Sequence, residues 1–110
     1  MRLPNMENAF IDDEKLVGYS LNPDHERGKH KARVFASALG ITADKAYILR
    51  QAILNAIKIN SAIPSKGDDY GQRYVVDFEM RTDVGTAIVR TTWILLVEED
   101  FPRLVSCYVL

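Results

Sequence analysis

Apolar residues in the first sixty positions recur at the three- and four-residue spacing of helices. The segment DDEKLVGY predicts a short first helix, because the Asp12 carboxylate can accept N–H groups of the first turn. Gly18 is expected to end this helix. The clearest apolar stripe predicts a third helix over residues 43–60, capped by Thr42. Its apolar positions are Leu49, Ala52, Ile53, Ala56 and Ile57.

A loop and a second helix are predicted between these two. Pro23 disfavours helical geometry at Asn22, so LNPDHERG is expected to form a loop. The second helix begins near Gly28 or Lys29, and Gly40 is expected to end it. Its apolar face consists of Val34, Phe35, Ala38 and Leu39.

After Gly71 the apolar period changes from helical spacing to two, which is typical of strands. SAIPSKGDDYG, just before this change, is rich in turn-forming residues and predicts a loop. The segment RYVVDFEMR then predicts a strand, and TDVG predicts a hairpin turn after it. The apolar face of this strand consists of Tyr74, Val76, Phe78 and Met80.

Two further strands complete the predicted sheet. TAIVRTTWILLV has a more apolar face formed by Ala87, Val89, Trp93 and Leu95. EEDFP predicts a turn, and RLVSCYVL predicts a last strand with Leu104, Ser106 and Tyr108 on one face. Helices followed by antiparallel strands predict an α+β fold, with two to three N-terminal helices packed on a three- to four-stranded sheet. Residues 1–110 are expected to form a single domain.

Composition excludes several classes of protein. The net charge of −1 gives no global attraction to nucleic acid. The single cysteine, Cys107, excludes an internal disulfide and a cysteine-based zinc site, and it fits a reducing environment. No apolar stretch is long enough to span a membrane, and the N-terminus lacks the apolar core of a signal peptide. We therefore expect a cytoplasmic protein.

The stretch NPDHERGKHKAR concentrates the chemistry of the chain, because both histidines and four basic residues fall within twelve positions. Histidine can exchange protons near neutral pH, and lysine, arginine and a helix start all favour phosphate. We expect His25 to transfer a proton, assisted by His30. The expected phosphate-binding residues are Lys29, Lys31 and Arg33.

Other interpretations of this stretch stay open. It can be a solvated turn that leads into a helix. The two histidines could also bind a metal with Asp24 or Glu26, although their spacing matches no zinc motif. The stretch is not a P-loop, because the required first glycine and the Ser or Thr after Gly-Lys are missing. We expect no metal and no cofactor.

Polar residues on the predicted sheet form a second candidate group. Arg90 and Thr92 share one face of their strand with Ile88 and Ile94. A charged residue among apolar neighbours needs a partner or a purpose. An anion site would join Arg90 and Thr92 to Ser106 and Tyr108 of the next strand. Alternatively, Arg90 forms a cross-strand ion pair with Asp77 or Glu79, and Tyr108 belongs to the core.

Three segments resemble an uncharacterised bacterial domain family: LPN, KLVGYSLNPDHERGKHKARVFASALG and YGQRYVVDFEM with TAIVRTTWIL. Its members occur as stand-alone proteins and as the last module of phage-head-morphogenesis-like polypeptides that carry C-terminal toxins. The layout of helices followed by an antiparallel sheet is also similar to metal-independent RNase toxins, which include barnase and the RelE-type toxins. That similarity implies cleavage of RNA, and the toxin context implies a small cognate or immunity protein as a partner.

Two hypotheses follow for the function. The first is a metal-independent ribonuclease-like domain in which His25, His30, Arg90, Thr92 and Tyr108 serve catalysis. The second is a non-catalytic protein-interaction module, such as an accessory or degenerate toxin tail. A cleft shared by His25 and Arg90 would favour the first, and a large separation would favour the second. The sequence does not indicate the oligomeric state.

Overall fold

A computed structural model describes residues 1–110, and it has the predicted α+β architecture. Helix α1, Asp13–Lys15, continues into a π-helical turn, Leu16–Ser20, and is followed by α2, Lys29–Leu39, and α3, Ala46–Ile59. The strands are β1 (Ala62–Gly67), β2 (Gly71–Arg81), β3 (Thr86–Leu96) and β4 (Pro102–Val109). All neighbouring strands are antiparallel, in the order β1-β2-β3-β4. No helix is long and apolar enough to cross a membrane.

The first helix begins as predicted but ends later. The Asp12 carboxylate accepts the N–H of Glu14 at 3.0 Å. Gly18 was expected to end this helix, and that expectation is wrong, because the helical turn continues through Gly18 to Ser20. A tertiary contact explains the extension: Ser20 is fully buried, and its hydroxyl donates to the Cys107 carbonyl of β4 at 2.8 Å.

Helix α2 ends at Gly40 as predicted, in the left-handed conformation with φ +67° that glycine adopts without strain. One member of its predicted apolar face is wrong. Val34 is exposed, whereas the buried residues are Ala32, Phe35 and Leu39. Val34 is adjacent to Phe35 in the sequence, but the helical rotation between them places Val34 toward solvent.

The third helix covers the predicted span in two parts. A 3-10 turn, Ala43–Lys45, precedes α3. Thr42 lies at the predicted position, but it does not cap the helix, because its hydroxyl donates to the Asp44 carboxylate instead of accepting a backbone N–H. Four of the five predicted stripe positions are buried, namely Leu49, Ile53, Ala56 and Ile57.

The predicted loop before β2 contains a strand, so that expectation is wrong. β1 pairs with β2 from Ala62, opposite Val76, to Pro64, opposite Tyr74. The prediction failed at Pro64, because proline cannot donate a ladder hydrogen bond and is therefore typical of loops rather than strands. It is tolerated here because β1 is the edge strand of the sheet.

The last strand has an irregularity that changes its faces. Ser106 lies opposite Thr92, but Leu104 lies opposite Trp93, so Val105 is an extra residue in the ladder. The expected single face of Leu104, Ser106 and Tyr108 is therefore wrong. Leu104 is buried in the core beside Trp93, whereas Ser106 and Tyr108 are half-exposed.

The core fills the space between the helices and one face of the sheet. That face contributes Tyr74, Val76, Phe78, Val89, Trp93, Leu104 and Cys107 to a cluster that includes the apolar residues of the helices. Thr91 also lies on this face, fully buried, and accepts a hydrogen bond from the Trp93 indole at 2.8 Å. The opposite face has no helix over it and carries Arg90, Thr92 and Tyr108, all half-exposed.

Candidate functional site

His25 is a structural cap at the start of α2. Its Nδ1 accepts the backbone N–H groups of Arg27 and Gly28, each at 3.0 Å. Its carbonyl accepts the N–H of Lys29 at 2.8 Å. Because Nδ1 is an acceptor, the neutral ring carries its proton on Nε2. In that tautomer Nε2 cannot take a further proton, which argues against His25 as a general base.

This cap also reduces the number of free N–H groups at the helix start. A helix leaves about four N–H groups without partners. Here His25 occupies those of Gly28 and Lys29, so only the N–H groups of His30 and Lys31 remain unpaired. The anion-binding capacity of the helix start is correspondingly concentrated at these two residues.

Lys31 lies between two tyrosines from different parts of the chain. Its Nζ donates to the Tyr19 hydroxyl at 3.0 Å and lies 4.9 Å from the Tyr19 ring centroid. It is also 5.6 Å from the ring centroid of Tyr108. The His25 ring contacts Tyr19 edge-on, with centroids 4.9 Å apart. We call His30, Lys31, Tyr19 and Tyr108 the lysine–tyrosine cluster.

A surface hollow of about 400 Å³ adjoins this cluster. It is lined by His30, Lys31, Val34, Tyr108 and Val109. His30 is exposed, and neither of its ring nitrogens is hydrogen bonded within the protein. Lys31 forms no ion pair with a carboxylate, so its charge is available to a ligand in the hollow.

Helix α2 separates the predicted basic cluster into two groups. Lys29 and Arg33 line a different cavity of about 500 Å³, together with Ala32, Ala36 and Asp44 among others. Lys29, Ala32, Arg33 and Ala36 are spaced three and four apart and therefore share one face of α2. His30 and Lys31 lie on another side of the same helix. The structure thus does not bring all the predicted phosphate-binding residues together.

Arg90 is held by an acidic partner on the neighbouring strand. Its Nε and Nη2 donate to the two carboxylate oxygens of Asp77, each at 2.9 Å. These hydrogen bonds to Asp77 raise the pKa of Arg90. Tyr108 lies directly opposite Arg90 on the other side, in β4. The pair with Asp77 leaves three of the five guanidinium N–H groups unused by the carboxylate.

The other polar groups of the open sheet face are also engaged. The hydroxyls of Thr92 and Ser106 lie 2.9 Å apart and share a hydrogen bond. Arg103 donates twice to Glu99 at 2.7 Å, which lowers the pKa of Glu99. Since these groups satisfy each other, Lys31 is the cation beside this face that lacks an acidic partner.

The sequence matches the family described as Domain of unknown function (DUF6883) over residues 2–110. The chain belongs to this family. No curated protein matches its sequence. Its fold is similar to that of a chain from the contact-dependent growth inhibition toxin–immunity protein complex of Klebsiella pneumoniae 342, with a TM-score of 0.65 and 15% identity. The likeness covers 91% of this chain and 98% of the other, and it shows a common fold.

Tyr19 is the member of the lysine–tyrosine cluster that the sequence of this DUF6883 protein did not reveal. It contacts the ring of His25 and the ammonium of Lys31, which lies 12 residues later in the chain. No periodicity or local motif in the sequence predicts that the helical turn with Tyr19 lies beside Lys31 of α2 and Tyr108 of β4. The one signal in the sequence was an aromatic residue, Tyr19, shortly before the basic stretch that begins at Asn22.

The cysteine and the acidic groups of the DUF6883 chain give no further reactive centre. Nowhere do three or more His, Cys, Asp or Glu side chains gather so that they could hold a metal ion. Cys107 is fully buried in β4, and burial raises the pKa of its thiol to about 12. A thiol in this state is a poor nucleophile at neutral pH.

Proposed function

We propose that this DUF6883 protein is a metal-independent ribonuclease-like domain that cleaves RNA phosphodiesters at the lysine–tyrosine cluster. The observation that carries the proposal is the position of Lys31. Its ammonium is held between Tyr19 and Tyr108, has no acidic partner, and adjoins an exposed His30 in an open hollow. A cation fixed by aromatic groups and left without a counter-ion is suited to bind an anionic group.

The reaction would proceed by transesterification within the RNA. The ribose 2′-oxygen attacks phosphorus as a base removes its proton, and the 5′-oxygen leaves as it receives a proton, so a 2′,3′-cyclic phosphate forms. His30 is the proton-transfer residue in this scheme, because its two ring nitrogens are free. Lys31 and Arg90 offset the charge that develops on the phosphoryl oxygens. Asp77 orients Arg90 through their paired hydrogen bonds.

The remaining predicted residues take supporting places in this scheme. Lys29 and Arg33, on the other face of α2, would contact phosphates that flank the cleaved bond. Tyr108 lines the sheet side of the hollow, Thr92 supports the neighbouring strand through the hydrogen bond between its hydroxyl and that of Ser106, and His25 holds the start of α2. The fold shared with a chain of a growth-inhibition toxin–immunity complex supports a toxin-related role. The cytoplasm is the proposed location, because a single free cysteine fits a reducing compartment. A small immunity protein would then be the natural partner.

Cleavage of total RNA in the presence of a chelator tests the proposal. The protein should produce fragments with cyclic phosphate ends, and His30→Gln and Lys31→Met should each abolish cleavage while the circular dichroism spectrum stays native. Lys66→Met provides a matched control, because Lys66 is an exposed lysine on β1 at the far edge of the sheet. Full activity in His30→Gln, or activity that the chelator removes, would contradict the mechanism.

A non-catalytic interaction module is the second candidate, and one observation favours it. Arg73, Arg90 and Arg103 all form ion pairs with carboxylates, so the open sheet face offers little free positive charge to RNA. Titration with a short oligonucleotide at low salt separates the two candidates, because phosphate contacts weaken steeply as salt rises. If the protein neither cleaves nor binds RNA, the interaction module is the remaining candidate. Binding without cleavage would retain an anion site and remove the enzyme.

A further inference from the structure

Strand β2 has a free edge at its C-terminal end. β1 begins at Ala62, opposite Val76, so no strand pairs with β2 on that side beyond Val76. Ala62 donates its N–H to the Met1 carbonyl and not to β2. Ile63 and Val75 therefore form the hydrogen-bonded pair of the ladder, with the main-chain groups of Val75 directed toward β1.

The same direction applies to every second residue that follows in β2. Asp77, Glu79 and Arg81 point their N–H and C=O groups away from β3, and none of these groups is hydrogen bonded within the protein. β2 therefore presents a row of unpaired donors and acceptors at the spacing of an antiparallel strand. Such an edge is a template for another extended chain.

An apolar groove lies beside this edge. It has a volume of about 350 Å³ and is formed by one side of α3 together with the end of β2. Ile48 and Ile59 are exposed at its wall, with Ile59 at 72% exposure, and Phe78 and Met80 form its base. Glu79 and Arg81 also border the groove, but they alternate with Phe78 and Met80 along β2, so their exposed, charged side chains lie on its opposite face. An added strand would thus meet apolar groups on one face and charges on the other.

We propose that the β2 edge from Asp77 to Arg81 binds a short extended segment of a partner protein as a fifth strand. Only an extended main chain can satisfy the row of free groups, which excludes RNA as the occupant. The side chains define the chemistry of the segment. In the antiparallel direction of the sheet, it carries an acidic residue opposite Arg81, a basic residue opposite Glu79, and an apolar residue between them over Met80 and Ile59. Its paired length is about five residues, because β1 and the hairpin limit the edge on both sides.

Two disulfide-closed hairpin peptides test this proposal against the full chain. The exposed strand of the first reads Glu-Val-Lys-Val-Thr, and that of the second, Lys-Val-Glu-Val-Thr, places like charges opposite Arg81 and Glu79. Closing the hairpins is necessary because isolated two-stranded peptides are only marginally ordered. We expect the first to bind about tenfold more tightly than the second, since two cross-strand charge pairs change sign. The double variant Glu79→Lys with Arg81→Glu should reverse this preference.

Amide hydrogen exchange locates the contact. The first hairpin should slow exchange at Asp77, Glu79 and Arg81. Glu79→Pro should abolish binding, whereas Glu79→Thr, which loses one charge pair but keeps the main-chain N–H, should only weaken it. Pro removes an N–H that has no partner in the free protein, so the fold should persist. Absence of protection at a saturating hairpin concentration, or equal affinity for both hairpins, would overturn the proposal. Protection that rises with protein concentration alone would also overturn it, by assigning the edge to a second copy of the chain.

Discussion

Arg90 and Asp77 lie directly opposite each other on β3 and β2, and the guanidinium holds the carboxylate through two parallel hydrogen bonds of 2.9 Å. The planar fork of arginine matches the two carboxylate oxygens, so this geometry fixes the direction of the side chain more firmly than a single contact would. The pair lies on the open face of the sheet, with Tyr108 on the other side of Arg90. Asp77 therefore controls where the charge of Arg90 is presented.

The substitution Asp77→Asn should lower both stability and activity. The amide that it introduces is neutral and has a single acceptor oxygen, so it cannot hold both guanidinium N–H groups. We expect a small fall in the urea midpoint, because the pair is partly exposed to solvent. RNA cleavage should fall further, since Arg90 loses its fixed orientation. Glu79→Gln is the matched control, because Glu79 only meets Arg81 at 3.8 Å. Equal effects of the two variants in urea melts and cleavage assays would contradict this role of Asp77.

A buried hydrogen-bond chain makes Thr91 more important than its size indicates. The Trp93 indole donates to the Thr91 hydroxyl at 2.8 Å, and that hydroxyl donates to the Val76 carbonyl at 2.7 Å. Thr91→Val keeps the shape but leaves the buried indole N–H without a partner, which should cost about 1–3 kcal/mol of unfolding free energy. Thr92→Val serves as the control, because its half-exposed partner Ser106 can turn to water. Similar losses of unfolding free energy in both variants would contradict the importance of the buried hydrogen bond between Trp93 and Thr91.

The fold was largely predictable because its periods are long and regular. The stripe around Ile53 and the alternation around Phe78 identified α3 and β2, and both residues are buried. The predictions from sequence were wrong where tertiary structure overrode a local sequence preference. Pro64 concealed an edge strand, and the extra residue Val105 moved Leu104 to the core face. Neither feature has a signal in the apolar pattern alone.

The candidate site was predictable only as a set of residue types. The basic stretch identified Lys31 and His30, which do share a hollow with Tyr108. The sequence could not show that α2 places Lys29 in another cavity, because that depends on how the helix packs. The contact between Tyr19 and Lys31 depends in the same way on tertiary packing.

Acid should destabilise the protein through Glu99. The ion pair with Arg103 lowers the pKa of Glu99 from its ordinary value of 4.5, so the unfolded chain takes up this proton at higher pH than the folded chain. The stabilisation is therefore present above about pH 4.5 and is lost as the pH falls toward the lowered value. In urea melts between pH 7 and pH 3, Glu99→Gln should show a weaker pH dependence than the parent. The neighbouring Glu98→Gln is the control, because Glu98 forms no ion pair; an equal change in both variants would refute the assignment.

His25 and His30 should differ sharply, although only five positions separate them. His25→Ala removes the acceptor of two backbone N–H groups and should lower the unfolding free energy by about 1 kcal/mol, as loss of a helix cap does. His25→Asn can accept these hydrogen bonds and should restore part of that loss. Because His25 acts on structure, RNA cleavage by His25→Asn should stay close to that of the parent at a temperature where both are folded. His30→Gln should show the opposite pattern, with unchanged denaturant melts and no cleavage, since its ring forms no hydrogen bond in the protein. Loss of cleavage with unchanged stability in His25→Ala would instead return the proton-transfer role to His25.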